Sequence, residues 1–324
     1  MIKHCIIADL HVVIDSDDKP LLDALAPRYA PFCHRASDCT EVPVLFALHH
    51  VEHFDPLPDA VQMVDFECQE TWCVYHESET MVQITLQDFE TRQDIAQMQC
   101  SKSYDDARCW IADVPVIQRE YCYNNFMMML FAFASMNRDT LVMHASVIAR
   151  DGKAYLFTAK SGTGKSTHST LWLKHIPGCE LVNDDNPVVG VRNGQAIVYG
   201  SPWSGKTNCY RDISFPIGGI VRINRAPECR IERQGVVNAF ALILPSCSAV
   251  KWNLPLYRAL GDTVGKVVGL VPTYELYCTP YKEAAVVCSQ GLGAWDGVSQ
   301  GAGFDLNQKS LKPVGVTLPD DPTL

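Results

Sequence analysis

The run Ala159-Lys160-Ser161-Gly162-Thr163-Gly164-Lys165-Ser166-Thr167 lies between an apolar segment, Ala154-Tyr155-Leu156-Phe157, and an amphipathic one spanning residues 168–175. A glycine-rich loop ending in Gly-Lys-Ser-Thr, entered from a strand and leaving into a helix, has the context of a phosphate-binding loop as well as its letters. The glycines let successive backbone N–H groups turn inward around phosphate oxygens, and the helix N-terminus adds partial positive charge. The expectation is that Ser161, Gly162, Thr163, Gly164, Lys165, Ser166 and Thr167 hold a nucleoside triphosphate. Lys165 would reach the β- and γ-phosphates, and the Ser166 hydroxyl would ligate Mg²⁺. Ala159 stands where such loops usually begin with glycine, at a position that turns the chain more than it touches phosphate. On letters alone the alternative is a surface loop between two buried elements.

Upstream, residues 141–148 read as a strand. Arg150-Asp151-Gly152-Lys153 reads as a hairpin turn, and residues 154–158 as the next strand. Downstream, Glu180-Leu181-Val182-Asn183-Asp184-Asp185 reads as a strand ending in two acids, where a nucleotide-binding sheet delivers a carboxylate to the metal. Adjacent acids on a continuing strand face opposite ways, but at a strand end both can face the phosphates. One can then hold the metal while the other accepts the proton of an attacking hydroxyl. An Asx turn into Asn186-Pro187 is the structural alternative. His144 lies in the strand before the loop strand, where a lone histidine is more often a core residue. Ser201-Pro202-Trp203-Ser204-Gly205-Lys206-Thr207 brings one ammonium, Lys206, into a loop that in isolation reads as a turn.

At 324 residues the chain has room for two domains, and 47% hydrophobic with 20% charged residues is a soluble globular composition. A formal net charge of −10 without a Lys/Arg cluster argues against a nucleic-acid surface. No apolar run reaches membrane-spanning length, and the N-terminus lacks the features of a signal peptide, so the expected location is the cytoplasm. The 14 cysteines are scattered without a CxxC pair, which gives a structural zinc site little support and suits a reducing compartment.

Residues 1–118 read as a small β-rich N-terminal domain, with strand-like runs at 6–14, 43–48, 71–75 and 81–86. His49-His50-Val51-Glu52-His53 carries ligand-type side chains, but its flanks read as a strand end and a turn. Residues 119–290 read as the ATP-binding catalytic domain, opened by a buried Met-rich helix over 121–136. A hairpin over 188–199, strands near 218–223 and 229–233, and helices over 236–244 and 254–268 follow. Residues 291–324, rich in Gly, Gln, Asp and Pro, read as a poorly ordered tail.

Met143-His144-Ala145-Ser146, a glycine hairpin, Ser161-Gly162-Thr163-Gly164-Lys165-Ser166-Thr167 and then Asn183-Asp184-Asp185 resemble, in order and spacing, the ATP-dependent phosphoenolpyruvate carboxykinases and the HPr kinase/phosphorylase catalytic domain. The Pro-Trp-Ser-Gly-Lys loop and Pro216-Ile217-Gly218-Gly219-Ile220-Val221 look like the shorter bacterial HPr-kinase-like proteins, some of which accompany peptide-modification genes. The resemblance covers roughly residues 140–290 and implies an α/β fold: a P-loop kinase domain of the HPr kinase/phosphoenolpyruvate carboxykinase type behind the β-rich N-terminal domain. It implies that His144 and Asp185 ligate a divalent metal and that Asp184 is the acid/base beside an acceptor serine. The Arg-bearing segment that HPr kinase places after its acids has no recognisable counterpart, and the larger body of the carboxykinases is missing.

The combined expectation is a kinase using ATP with Mg²⁺ or Mn²⁺, whose catalytic residues are Asp184, Lys165 and Lys206 and whose metal ligands are Ser166, Asp185 and His144. Its partner would be a protein or peptide carrying an acceptor serine, with no nucleic acid or membrane and with homo-oligomerisation open. A kinase for a free small molecule such as serine, and a nucleotide-sensing binding module, are the alternatives. The intact acid pair favours an enzyme over the sensor.

Overall fold

The computed structural model describes residues 1–294 except Pro56, Pro58, Gln69, Glu70, Ser161 and Lys206. Two of the expected site residues, Ser161 and Lys206, and the tail from 295 onward therefore lie outside the described residues.

The chain opens with β1 (Ile2–Ile7), β2 (Leu10–Asp15) and α1 (Lys19–Tyr29). β3 (Cys33–His34), β4 (Val44–His50), β5 (Val61–Cys68) and β6 (Thr71–Glu77) follow, then β7 (Met81–Asp88), β8 (Asp94–Ser101) and β9 (Asp106–Ile111). Together these strands form one nine-stranded sheet in the order β3-β1-β2-β4-β9-β8-β7-β6-β5. Alternation sets its faces: Val82, Ile84 and Leu86 of β7 are buried while Gln83 and Gln87 are not. The run expected as one strand over 6–14 is instead a hairpin that reverses at Ala8-Asp9, both with positive φ. The Tyr199 hydroxyl donates to the Asp9 carboxylate at 2.6 Å and so ties this turn to the second half of the molecule.

Sequence reading did not find α1, although its start is well signalled. Asp18 caps it by accepting from Leu21 N–H at 3.0 Å, and Pro20 sits in the first turn. α1 buries Leu21, Leu22, Leu25 and Tyr29, each worth about 1.5–3 kcal/mol when fully buried. α2 (Val116–Ala134) matches the expected apolar helix and buries Phe126, Met127, Leu130 and Phe131. It packs on β4, β8 and β9 and also on β10 (Thr140–Val142), so a boundary at 118 falls in its first turn.

Beyond β10 come β11 (Ala145–Arg150), β12 (Lys153–Thr158), α3 (Lys165–His175), β13 (Glu180–Asp185), β14 (Val188–Arg192), β15 (Gln195–Tyr199) and β16 (Ser214–Arg225). β17 (Arg230–Arg233), α4 (Val236–Ile243), α5 (Leu254–Leu270), β18 (Thr273–Cys278) and α6 (Lys282–Gly291) complete the described chain. The second sheet runs β10-β14-β15-β16-β12-β11-β13, with β18 also on β16 and β17 on β18. The whole is a mixed α/β structure, and among the described residues no helix is long and apolar enough to cross a membrane.

Strand direction places the site. β11 is antiparallel to both β12 and β13, while β16 is parallel to β12 and β18 parallel to β16. The C-terminal ends of β12, β13, β16 and β18 and the N-terminal end of β11 therefore share one edge of the sheet. The strand expected over 141–148 is broken at that edge. β10 joins β14, β11 joins β12 and β13, and the chain switches partners at Met143-His144. The break is held by a bridge from Met143 to Cys247 and by His144 N–H donating to Ser246 O at 2.7 Å.

Candidate functional site

The glycine-rich loop leaves β12 at its C-terminal end and enters α3. Gly162 (φ 71°) and Gly164 (φ 119°) take left-handed conformations that favour glycine. No side chain caps α3, which leaves the N–H groups of its first turn for another partner. The exposed Arg225, at the end of β16, donates to Gly162 O at 2.6 Å and to Thr163 O at 3.2 Å, holding the loop by its carbonyls. Beneath it, His168 is buried, and burial alone depresses its pKa to about 3. Its Nε2 accepts from Trp172 Nε1–H at 3.1 Å, so His168 is a neutral core residue.

Lys165, the first residue of α3, turns toward the break between β10 and β11. Its Nζ lies 2.8 Å from His144 Nε2, and the same His144 nitrogen lies 3.0 Å from Asp185 Oδ1. Burial pulls the Lys165 pKa down; the Asp185 and Asp184 carboxylates oppose that shift, and nearby Arg222 adds to it. His144 is therefore no core histidine: its side chain is 43% exposed and faces both a cation and a carboxylate. Ser166 and Thr167 are exposed on the first turn of α3.

The two acids at the end of β13 diverge. Asp185 turns to His144, while Asp184 is 4% exposed and accepts from Ser146 Oγ–H at 2.9 Å through Oδ1. Its other oxygen, Oδ2, is buried without a partner. Asn183, fully buried, shapes the turn: its Oδ1 accepts from the N–H of Asp185 and of Asn186, each at 3.0 Å. The Asx turn offered by the sequence is present, and the two acids leave β13 in different directions around it. Residues 201–205 close over them through a bridge between Ser204 and Asp185 and a 3.1 Å bond from Gly205 N–H to Asp184 O. Trp203, 2% exposed, anchors that loop 5.0 Å from the ring of Phe131 in α2.

Lys165, His144, Asp184 and Asp185 thus converge, with Ser166 on the adjoining turn of α3. Sequence reading missed Arg222 and Arg225. Their signal was a strand of alternating character, Val221-Arg222-Ile223-Asn224-Arg225, ending at the edge that carries the loop. On the opposite flank of α3 a cavity of about 560 Å³ opens beside Thr163, lined by Leu171, Ile223, Arg225 and Tyr281. Elsewhere, His49, next to last in β4, pairs with Asp15 at 3.0 Å, in keeping with a strand end.

The sequence matches no protein-family model and no curated protein. Among solved structures it is similar to the Hpr(Ser) kinase/phosphatase from Coxiella burnetii, at 14% identity and a TM-score of 0.29, over 46% of this chain and 86% of that one. At that score the likeness carries no argument about fold or activity.

Proposed function

We propose that this chain is an ATP- and divalent-metal-dependent kinase that transfers the γ-phosphoryl group to a hydroxyl, with a serine of a protein or peptide as the acceptor. One observation carries the reading: a glycine-loop lysine, a histidine–carboxylate pair and a second, buried carboxylate meet at the strand ends that flank an uncapped helix.

The residues fit the implied groups. Left-handed Gly162 and Gly164 with the free first turn of α3 suit phosphate oxygens. Among the described residues no cluster of three or more His, Cys, Asp or Glu side chains forms a metal cage. A cation held by His144, Asp185 and Ser166 would be completed by substrate phosphates and water. An imidazole ligand makes Mn²⁺ a natural alternative to Mg²⁺. When bound, the metal would neutralise charge on the phosphates.

In this reading Lys165 leaves His144 for the β- and γ-phosphates, and Arg222 adds positive charge at the same edge. Asp184 takes the acceptor's proton on Oδ2. That oxygen is shut from water in the ligand-free chain, so acceptor delivery includes a local opening around it. The 560 Å³ cavity seats the nucleoside. Lys206, as a cation near the acceptor, and Ser161, as a phosphate-loop residue, enter this reading from the sequence alone, since both lie outside the described residues.

The test compares direct MgATP binding with single-turnover transfer from γ-labelled ATP to the proteins of a cell extract. Asp184→Asn should bind MgATP within a few-fold of wild type and transfer about 10²- to 10⁴-fold more slowly. Equal transfer rates would remove Asp184 from the mechanism. Wild-type binding without transfer to any acceptor would instead favour a nucleotide sensor.

A further inference from the structure

Ser146 and Ser169 take no part in the chemistry proposed above, yet both are buried at its centre, 0% and 2% exposed. Ser146 is on β11, opposite Phe157 of the loop strand on one side and Asp184 of the acid strand on the other. Ser169 is on α3, four residues after Lys165 and so on the same helix face. Their hydroxyls make a chain: Ser169 Oγ to Ser146 Oγ at 2.6 Å, and Ser146 Oγ to Asp184 Oδ1 at 2.9 Å. It has one direction: Ser169 donates to Ser146, and Ser146 donates to Asp184.

We propose that Ser169 and Ser146 are positioning residues, a two-hydroxyl relay that fixes the rotamer of Asp184 and ties it to the helix bearing Lys165. This rests on Asp184 acting as the base in the kinase reading. With Oδ1 held by the relay, Oδ2 is the oxygen left for the acceptor. Because Ser169 and Lys165 ride on one helix, any adjustment of α3 as its N-terminus takes up phosphate passes through two short hydrogen bonds to the carboxylate. A polar filler between sheet and helix would need neither that direction nor that connection.

The experiment uses the full chain with MgATP as the probe, reading phosphate release to water as turnover and equilibrium dialysis for nucleotide affinity. Ser146→Ala should lower kcat by roughly 10- to 100-fold, the order expected when a reacting group is misplaced by about an ångström. Ser169→Ala should lower it by about 3- to 10-fold, and KM for MgATP should stay within about twofold in both. The double variant should be no slower than Ser146→Ala alone, since Ser169 acts only through Ser146. Ser169→Thr, which keeps the hydroxyl, should restore turnover to within about twofold of wild type. A folded Ser146→Ala protein with wild-type kcat overturns the relay, as do losses that multiply in the double variant. Should Ser146→Ala fail to fold, Ser169→Ala decides alone, because alanine suits a helix interior and an unchanged kcat there is equally fatal. Wild-type protein without MgATP affinity would overturn the kinase reading itself, and the relay with it.

Discussion

Replacing Gly205 with alanine measures how closely the loop 201–207 approaches the acid pair. A Cβ at this position would stand 2.7 Å from Asp184 O and 3.1 Å from Asp185 Cβ, where ordinary contact begins at 3.4 Å. Both neighbours belong to the backbone or its first carbon, so no flexible side chain can swing away. The loop and β13 must part by about 0.7 Å, which stretches the 3.1 Å bond from Gly205 N–H to Asp184 O out of useful range. Overpacking of this kind costs about 1–3 kcal/mol, or roughly 2–10 °C in melting temperature for a chain of this size. Displacing Asp184 by that amount should slow phosphate release from MgATP by about 10- to 100-fold. MgATP affinity should change by less than about threefold, since the glycine loop is untouched. Scanning calorimetry, phosphate release and equilibrium dialysis on one preparation supply the three readouts. Gly265→Ala in α5 is the control: its Cβ meets nothing within 4 Å, and the protein should gain about 0.5–1 kcal/mol. A Gly205→Ala protein that melts and turns over like wild type would refute the close approach.

Lys165→Ala should abolish useful MgATP binding with little loss of stability, because it removes a cation whose charge burial already disfavours; unchanged binding would sink the loop assignment. His144→Ala and Asp185→Asn should each raise the Mg²⁺ or Mn²⁺ concentration needed for half-maximal turnover. A His144→Ala protein that only melts earlier, with unchanged metal dependence, would make His144 structural. His168 predicts an acid sensitivity of the ligand-free fold. Burial holds its folded pKa at about 3 against 6.5 for an exposed imidazole, so between those values the unfolded chain binds a proton that the folded chain refuses. Stability should therefore fall as pH drops through that window, by about 2 kcal/mol at pH 5 from this group. Urea unfolding of wild type and His168→Leu at pH 7 and pH 5 checks the slope, and equal losses in both proteins would exclude His168 as its source.

The local signals were legible. The glycine loop, the hairpin turns at Asp151-Gly152 and Asn193-Gly194, and the acid-tipped β13 all depend on neighbours a few residues away, and each stands where the sequence put it. What could not be read depends on distant partners. The break at His144 requires Ser246 and Cys247, a hundred residues on, to interrupt a run that by pattern alone continues as strand. The reversal at Ala8-Asp9 has neither glycine nor asparagine to announce it and leans on Tyr199 and Arg192. Arg222 carried no local signal of a site because only the parallel pairing of β16 with β12 brings it to the loop edge. α1 is different: the Asp18 cap and Pro20 were available, and Pro27 inside the helix argued against them.

The position of α2 also bears on how the chain is made. Its side chains belong to a single apolar core that includes residues from both sheets, Ile84 and Met98 of the first and Leu141 and Val142 of the second, together with Trp203 of the loop after β15. A ribosome delivers the first sheet and α2 ahead of the second sheet: β10 begins six residues after α2 ends, whereas Trp203 follows only after β15. At about 5–20 residues per second, the face of α2 that will meet Trp203 waits several seconds for its cover. Through that interval Phe131, buried against Trp203 in the folded chain, lacks that cover. Expression yield should accordingly depend on chaperone supply more steeply for a fragment ending at residue 139 than for the full chain, although the fragment contains every strand of its own sheet.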